Sequence, residues 1–248
     1  MSDYSSLAFY YDRLTENVDY EKRADYVLAL MKRHEAPAGG RVLDAGCGTG
    51  TLTVLLAKRG LDMMGFDKSP EMLSAAAQKA AREELEIPLI QGDLREMDLY
   101  GSMTNVISSL DTFNHITSAA GLNKAFSRVS LFTQKGGLFI FDVNTVYKSR
   151  RVLAGNTFVY DLDDLYCVWT CEGRRCGLVN DISIDIFVNE GDGYRRYSDE
   201  LVERSYPLAQ LEQLLTDNGF TVEGVYSDLK LTSPVRRDER VWFVCRKN

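Results

Sequence analysis

A chain of 248 residues, 45% hydrophobic and 26% charged, has the balance of a globular protein and can bury a core in one domain carrying an insertion. Its formal net charge of −7 argues against a nucleic-acid partner, since binding phosphate backbones relies on clustered Lys and Arg. No apolar run reaches the length of a membrane span, the opening MSDYSSLAFYYDRL lacks the basic and apolar regions of a signal peptide, and five cysteines without a spacing framework point to a reducing, cytoplasmic compartment.

Residues 1–16 carry an aromatic cluster, Tyr4, Phe9, Tyr10 and Tyr11, which reads either as an arm packed on the core or as a cap over a ligand. Ala24, Val27, Leu28 and Met31 form an i, i+3, i+4, i+7 stripe and predict a helix over Asn17–Arg33, broken by the APAGG run at 36–40. The next stretch, VLDAGCGTG at 42–50, organises the chain. It predicts a strand, a turn through Gly46, Gly48 and Gly50, and a helix in TLTVLLAKRG. Such a turn lets a ligand approach the backbone, and the helix N-terminus aims free N–H groups at it.

Asp62–Phe66 reads as a second strand ending at Asp67, about twenty residues past the glycines, where a ribose-binding acid is expected. One carboxylate can accept from both ribose hydroxyls. Ser69 and Pro70 open a helix over 70–84 as N-cap and first-turn proline. Leu89 and Ile90 make a third strand, followed by Asp93, which is either a turn former or a ligand-binding acid. Thr104–Ser109 is a fourth strand running into LDTFNH at 110–115, Ala119–Phe132 a helix, and Leu138–Val143 a fifth strand. Regular β–α alternation to residue 143 predicts an α/β, doubly wound, mostly parallel sheet.

Past residue 150 the pattern changes. Leu165–Thr170, Val179–Asn189 and Tyr194–Tyr206 are β-rich, with turn signals between them, and predict an inserted antiparallel sheet of three or four strands over 151–206. Its aromatics Tyr160, Tyr166, Trp169, Tyr194, Tyr197 and Tyr206 either fill the insertion's own core or enclose an acceptor, and Arg204 is either an anchor for an acidic group or a surface residue. Cys167, Cys171 and Cys176 lack the paired spacing of zinc sites, so no metal is expected. A helix from Pro207 and two strands, Thr221–Lys230 and Arg240–Arg246, return the chain to the main sheet.

Asp44, Gly46, Gly48 and Gly50 fill the four places of D-x-G-x-G-x-G, and the stretch resembles motif I of class I S-adenosylmethionine-dependent methyltransferases. The dinucleotide fingerprint would require a third glycine where Thr51 stands. FDKSPEML resembles the family's second motif, and KGG followed by an apolar strand resembles its later one. The resemblance implies a Rossmann-like seven-stranded sheet with one antiparallel strand. Its donor domain would span 1–150 and 207–248, with 151–206 as a substrate lid. It implies S-adenosyl-L-methionine as cofactor and S-adenosyl-L-homocysteine as product. Asp93 would accept from the adenine amino group and Leu94 pack on the ring. Asp67 would hold the ribose, Tyr11 would fold over the site, and Cys47, Lys68, Met72 and Leu110 would complete the pocket.

Asp111 and His115 are the candidate catalytic residues, because His is poised near neutral pH and an acid beside it could orient a cofactor or cationic acceptor. The N-P-P-Y signature of nucleic-acid amine methylation is missing at 110–115, so a small-molecule acceptor is expected. An NAD-dependent oxidoreductase and a non-catalytic cofactor-binding module are the rival readings.

Overall fold

The computed structural model describes residues 7–248, so Tyr4 of the aromatic cluster lies outside the described residues. Its main body is a seven-stranded sheet built from β1 (Arg41–Ala45), β2 (Asp62–Asp67), β3 (Leu89–Gln91), β4 (Asn105–Ser108), β5 (Leu138–Asn144), β10 (Phe220–Ser227) and β11 (Arg240–Lys247). The spatial order is β10-β11-β5-β4-β1-β2-β3, and β11 alone runs against the other strands. From β1 the chain builds outward through β2 and β3, then crosses back to place β4 on the other side of β1. The crevice beyond the carboxyl ends of β1 and β4 is therefore the topological switch point, where open α/β sheets bind ligands.

Helices cover both faces, which is why β4 and β5 are buried along their whole length rather than alternating with solvent. In β5, Phe139, Phe141 and Val143 face the side of α5 (Ala119–Phe132) and α7 (Leu208–Asp217). Leu138 and Ile140 face the side of α2 (Tyr20–Arg33) and α3 (Thr51–Lys58). Phe139 stacks on Phe141 at 4.5 Å and Phe141 on Phe243 at 5.1 Å, giving the core an aromatic spine. Helix α2 begins at Tyr20, not at Asn17 as expected, because the Asp19 side chain accepts from Lys22 N and caps it there. Helix α4 (Pro70–Arg82) stops two residues short of expectation, just before Glu84 takes a positive φ of 55°.

A separate four-stranded antiparallel sheet is ordered β6 (Thr157–Leu162), β7 (Leu165–Gly173), β8 (Val179–Asn189), β9 (Tyr194–Arg204). Strand β6 falls where the sequence reading placed none. β9 ends at Arg204 rather than running to Tyr206, whose ring is buried in the main core. Cys167, Cys171, Ile182, Ile184, Ile186 and Leu201 form this sheet's buried face. Helix α1 (Leu7–Leu14) packs Leu14 into the same cluster. A short helix, α6 (Val146–Lys148), and a π-helical turn, Ser149–Leu153, lead from β5 into this sheet. Among the described residues no helix is long and apolar enough to cross a membrane.

Candidate active site

A cavity of about 460 Å³ opens at the switch point. The glycine turn forms its floor. Gly46, with φ of 82°, donates to Phe66 O at 2.7 Å, and a Cβ on it would stand 2.3 Å from Thr112 Cγ2. Gly50, with φ of 74°, starts α3 and would press a Cβ to 2.8 Å from that of Ala76, so it shapes the turn without lining the cavity. Gly48 does line it, and a Cβ there would meet nothing within 4 Å.

Asp67 ties the turn to the next unit, its Oδ2 accepting from Gly48 N at 2.8 Å and its Oδ1 from Ser69 N at 2.9 Å. Burial pushes its carboxyl up, against the pull of these N–H groups. Asp44 is buried beneath the turn; burial raises it to about 7, opposed by the Thr53 hydroxyl donating to it at 2.6 Å. Burial also pushes the Cys47 thiol well up, so it is not a ready nucleophile. Asp93 caps the turn Leu94–Glu96 and accepts from the Arg95 guanidinium, which holds its carboxyl below the ordinary value.

The cavity wall gathers Tyr11, Asp44, Gly46, Cys47 and Gly48 with Asp67, Lys68, Met72, Asp93, Leu94 and Leu110, from stretches far apart in sequence. His115 joins them from the 3₁₀ turn Thr112–His115, whose Phe113 is locked among Phe126, Phe139 and Phe141. Asp111 does not line the cavity. Its Oδ1 accepts from Arg240 Nη2 at 2.5 Å while Oδ2 lies 4.0 Å from His115 Nε2. Burial pushes its carboxyl up, but Arg240, Lys148 and His115 outweigh that and hold it well below the ordinary range. Leu110 and Asp111 both have positive φ, and their backbone N–H groups donate to Asp142 at 3.1 and 2.8 Å. Asp142 also accepts from Arg240 at 2.5 Å and Arg23 at 3.2 Å.

The segment Tyr11-Asp12-Arg13-Leu14, which the resemblance implies folds over the site, lies in α1, and further lining residues escaped the sequence reading. Asp12 accepts from Thr49 Oγ1 at 2.6 Å and pairs with Lys79 Nζ at 2.8 Å, pinning α1 over the glycine turn. Glu200, Leu201 and Val202 of β9 line the far wall. None of the insertion's aromatics does: Tyr160, Trp169 and Tyr197 pack on its own buried cluster, while Tyr166 and Tyr194 are exposed. The Tyr206 hydroxyl donates to Ile116 O. Arg204 donates to Thr117 O at 3.1 Å and lies over the Tyr206 ring, so it braces the wall rather than anchoring an acceptor. Asp111, His115 and Glu203 each bring one ligand-capable atom within 4.8 Å of the others, a grouping that cysteine spacing could not suggest. Only Asp142, a charge within the apolar run LFIFDVN, was a visible signal of the buried ion network.

The description "Methyltransferase domain" attaches to the family model that matches residues 42–137. A protein of Geobacillus sp. strain WCH70 named as a methyltransferase is 31% identical over 245 residues, spanning 98% of this chain and 99% of the relative. A crystal structure of an S-adenosylmethionine-dependent methyltransferase from Clostridium acetobutylicum superposes with a TM-score of 0.90 at 28% identity, over 99% of each chain. The chain belongs to the class I S-adenosylmethionine-dependent methyltransferases. The methyltransferase also shares its fold with an amino pentose methyltransferase of Micromonospora echinaspora solved with S-adenosylmethionine bound. There the TM-score is 0.77 at 19% identity, over 97% of this chain and 96% of that one. The cofactor of the methyltransferase is S-adenosylmethionine, and the open space above Gly48 beside the Asp67 carboxylate fits such a donor.

Proposed function

We propose that this methyltransferase methylates a small molecule, with His115 as the proton acceptor at the acceptor's nucleophilic atom. The observation that carries the reading is the shared cavity: the glycine turn, His115 and the β9 wall all border one space of about 460 Å³, within the range of small-ligand sites of roughly 300–1,000 Å³. In this reading Asp67 holds the ribose hydroxyls, Asp93 accepts from the adenine amino group, Leu94 packs on the ring, and Tyr11 closes over the donor. Residues 1–150 and 207–248 form the donor domain and 151–206 the cover.

When bound, S-adenosylmethionine supplies an electrophilic methyl on a sulfonium, which departs with the C–S electron pair. The protein's part is placement: the nucleophile is held in line with the methyl carbon, and its proton passes to the His115 imidazole when it arrives protonated. Residues Ile116–Ser118 and Glu200–Val202 shape the acceptor side.

The test is incubation of the enzyme and radiolabelled S-adenosylmethionine with a cell extract, followed by size fractionation. Label is expected in a small-molecule product that chromatography separates from the labelled donor, and that product is expected to be lost with His115→Ala. Label in protein or nucleic acid would overturn the small-molecule reading, and undiminished transfer by His115→Ala would overturn the role of the base.

A further inference from the structure

We infer that Glu203, carried by the inserted sheet, is a positioning residue that holds the His115 imidazole together with Asp111. The inference rests on the reading of His115 as proton acceptor for its consequence, but its geometry stands independently. Glu203 lies near the end of β9, is only 6% exposed, and sits behind the cavity wall rather than in it. Each of the two carboxylates is fixed by one oxygen. Glu203 Oε2 accepts from Asn144 Nδ2 at 3.2 Å, and Asp111 Oδ1 accepts from Arg240 Nη2 at 2.5 Å. The three groups still converge within 4.8 Å, so two anchored carboxylates stand beside a single imidazole that also lines the cavity. This is the arrangement by which a buried acid orients a histidine and favours its protonated form.

The junction that brings Glu203 there is built, not incidental. Asn114, the residue before His115, is 1% exposed. Its Nδ2 donates to Arg204 O at 2.9 Å and to Asn144 O at 3.2 Å, while its Oδ1 accepts from Asn144 N at 2.9 Å. One amide thus fastens the end of β9 to the end of β5 next to the imidazole. Asn144 is held in turn by Lys148 Nζ, which donates to its Oδ1 at 3.0 Å.

The charged groups around His115 are Asp111 on its own turn, Glu203 from β9, Asp67 from β2, Lys148 from α6, and Arg240 from β11 behind Asp111. Burial raises the Glu203 carboxyl, and Asp111 adds to that, while His115 and Lys148 oppose it. The same three groups could ligate a divalent cation, but Lys148 and Arg240 already supply positive charge at that spot.

The chain contains two histidines, so nuclear magnetic resonance of ring-labelled protein reads His115 directly, with His34 as an internal control. The protein is titrated with S-adenosylhomocysteine bound. In Glu203→Gln, an isostere that keeps an oxygen for Asn144, the His115 titration midpoint is expected to move to lower pH by about half a unit or more. The His34 midpoint is expected to stay in place. Glu203→Asp, which keeps the charge but withdraws it by one methylene, serves where the Gln variant does not fold and is expected to give a smaller shift in the same direction. An unmoved His115 midpoint overturns the proposal, as does reversible, stoichiometric broadening of the His115 signals by Mn²⁺, which would make the cluster a metal site. Failure of the base reading is separate: it appears as unchanged methyl transfer by His115→Ala while the midpoint still responds to Glu203.

Discussion

Asp67→Asn separates two roles of one carboxylate, the bracing of the glycine turn seen in the structure and the ribose binding proposed for it. In the free protein both oxygens accept backbone N–H groups, from Gly48 at 2.8 Å and Ser69 at 2.9 Å. Asparagine offers one oxygen and turns an NH₂ toward the other donor, leaving an N–H unsatisfied at a cost of about 1–3 kcal/mol. Stability of the ligand-free enzyme falls by that amount in urea titration. The remaining lone pairs of the native carboxylate are those available to the two ribose hydroxyls. Losing one charged hydrogen bond and weakening the other costs about 2–3 kcal/mol, or about 30- to 150-fold in the Kd for S-adenosylhomocysteine measured by calorimetry. A stability loss with a Kd within twofold of native would refute the ribose assignment and leave Asp67 as a bracket for the glycine turn alone.

Asp44→Asn keeps an acceptor for the Thr53 hydroxyl but removes a group that burial raises from 3.8 to about 7. The folded state keeps this proton while the unfolded chain releases it, so that contribution is full at low pH and is lost as pH climbs toward 7. The variant's stability relative to native therefore improves between pH 4.5 and 8, read from urea midpoints; parallel curves would contradict this. Gly46→Ala forces a Cβ to 2.3 Å from Thr112 Cγ2 at a φ of 82° and is expected to abolish donor binding in calorimetry. Retained affinity would show that the turn gives way freely. Phe113→Ala empties a site ringed by Phe126, Phe139 and Phe141 and lowers unfolding free energy by about 3–5 kcal/mol. A loss under about 1 kcal/mol would mean that the core closes over the gap.

The part of the cavity around the glycine turn was legible because its residues sit at the ends of consecutive strands. Asp44 to Gly50, Asp67 to Met72 and Asp93-Leu94 are short runs whose turn and cap chemistry is written locally. Ala119–Phe132 emerged with its ends intact because Ser118 caps it, accepting from Gly121 N at 3.1 Å. Beyond Asp111 and His115, the opposite side was not legible, because strand pairing across the chain assembles it. Arg240 reaches Asp111 from 129 residues away, and Glu203 arrives through the Asn114 junction. Of the three or four strands expected in the insertion, β6 was the one not located, since its burial alternates between exposed and half-buried, leaving little hydrophobic contrast. The aromatics of the insertion had two open readings, and the register decided: Tyr160 pairs with Cys167, Cys167 with Ile186, and Ile186 with Tyr197, all on the inward face.

Helix α1 spends successive side chains on different neighbours. Asp12 reaches the glycine turn and Lys79, Arg13 pairs with Asp164 in the β6–β7 turn, and Leu14 enters the core of the small sheet. A single helical turn thus fastens the glycine turn of the main sheet to the β6–β7 turn and core of the small one. Removing the Asp12 and Arg13 side chains together is therefore the change that would release α1 from the glycine turn and the small sheet alike.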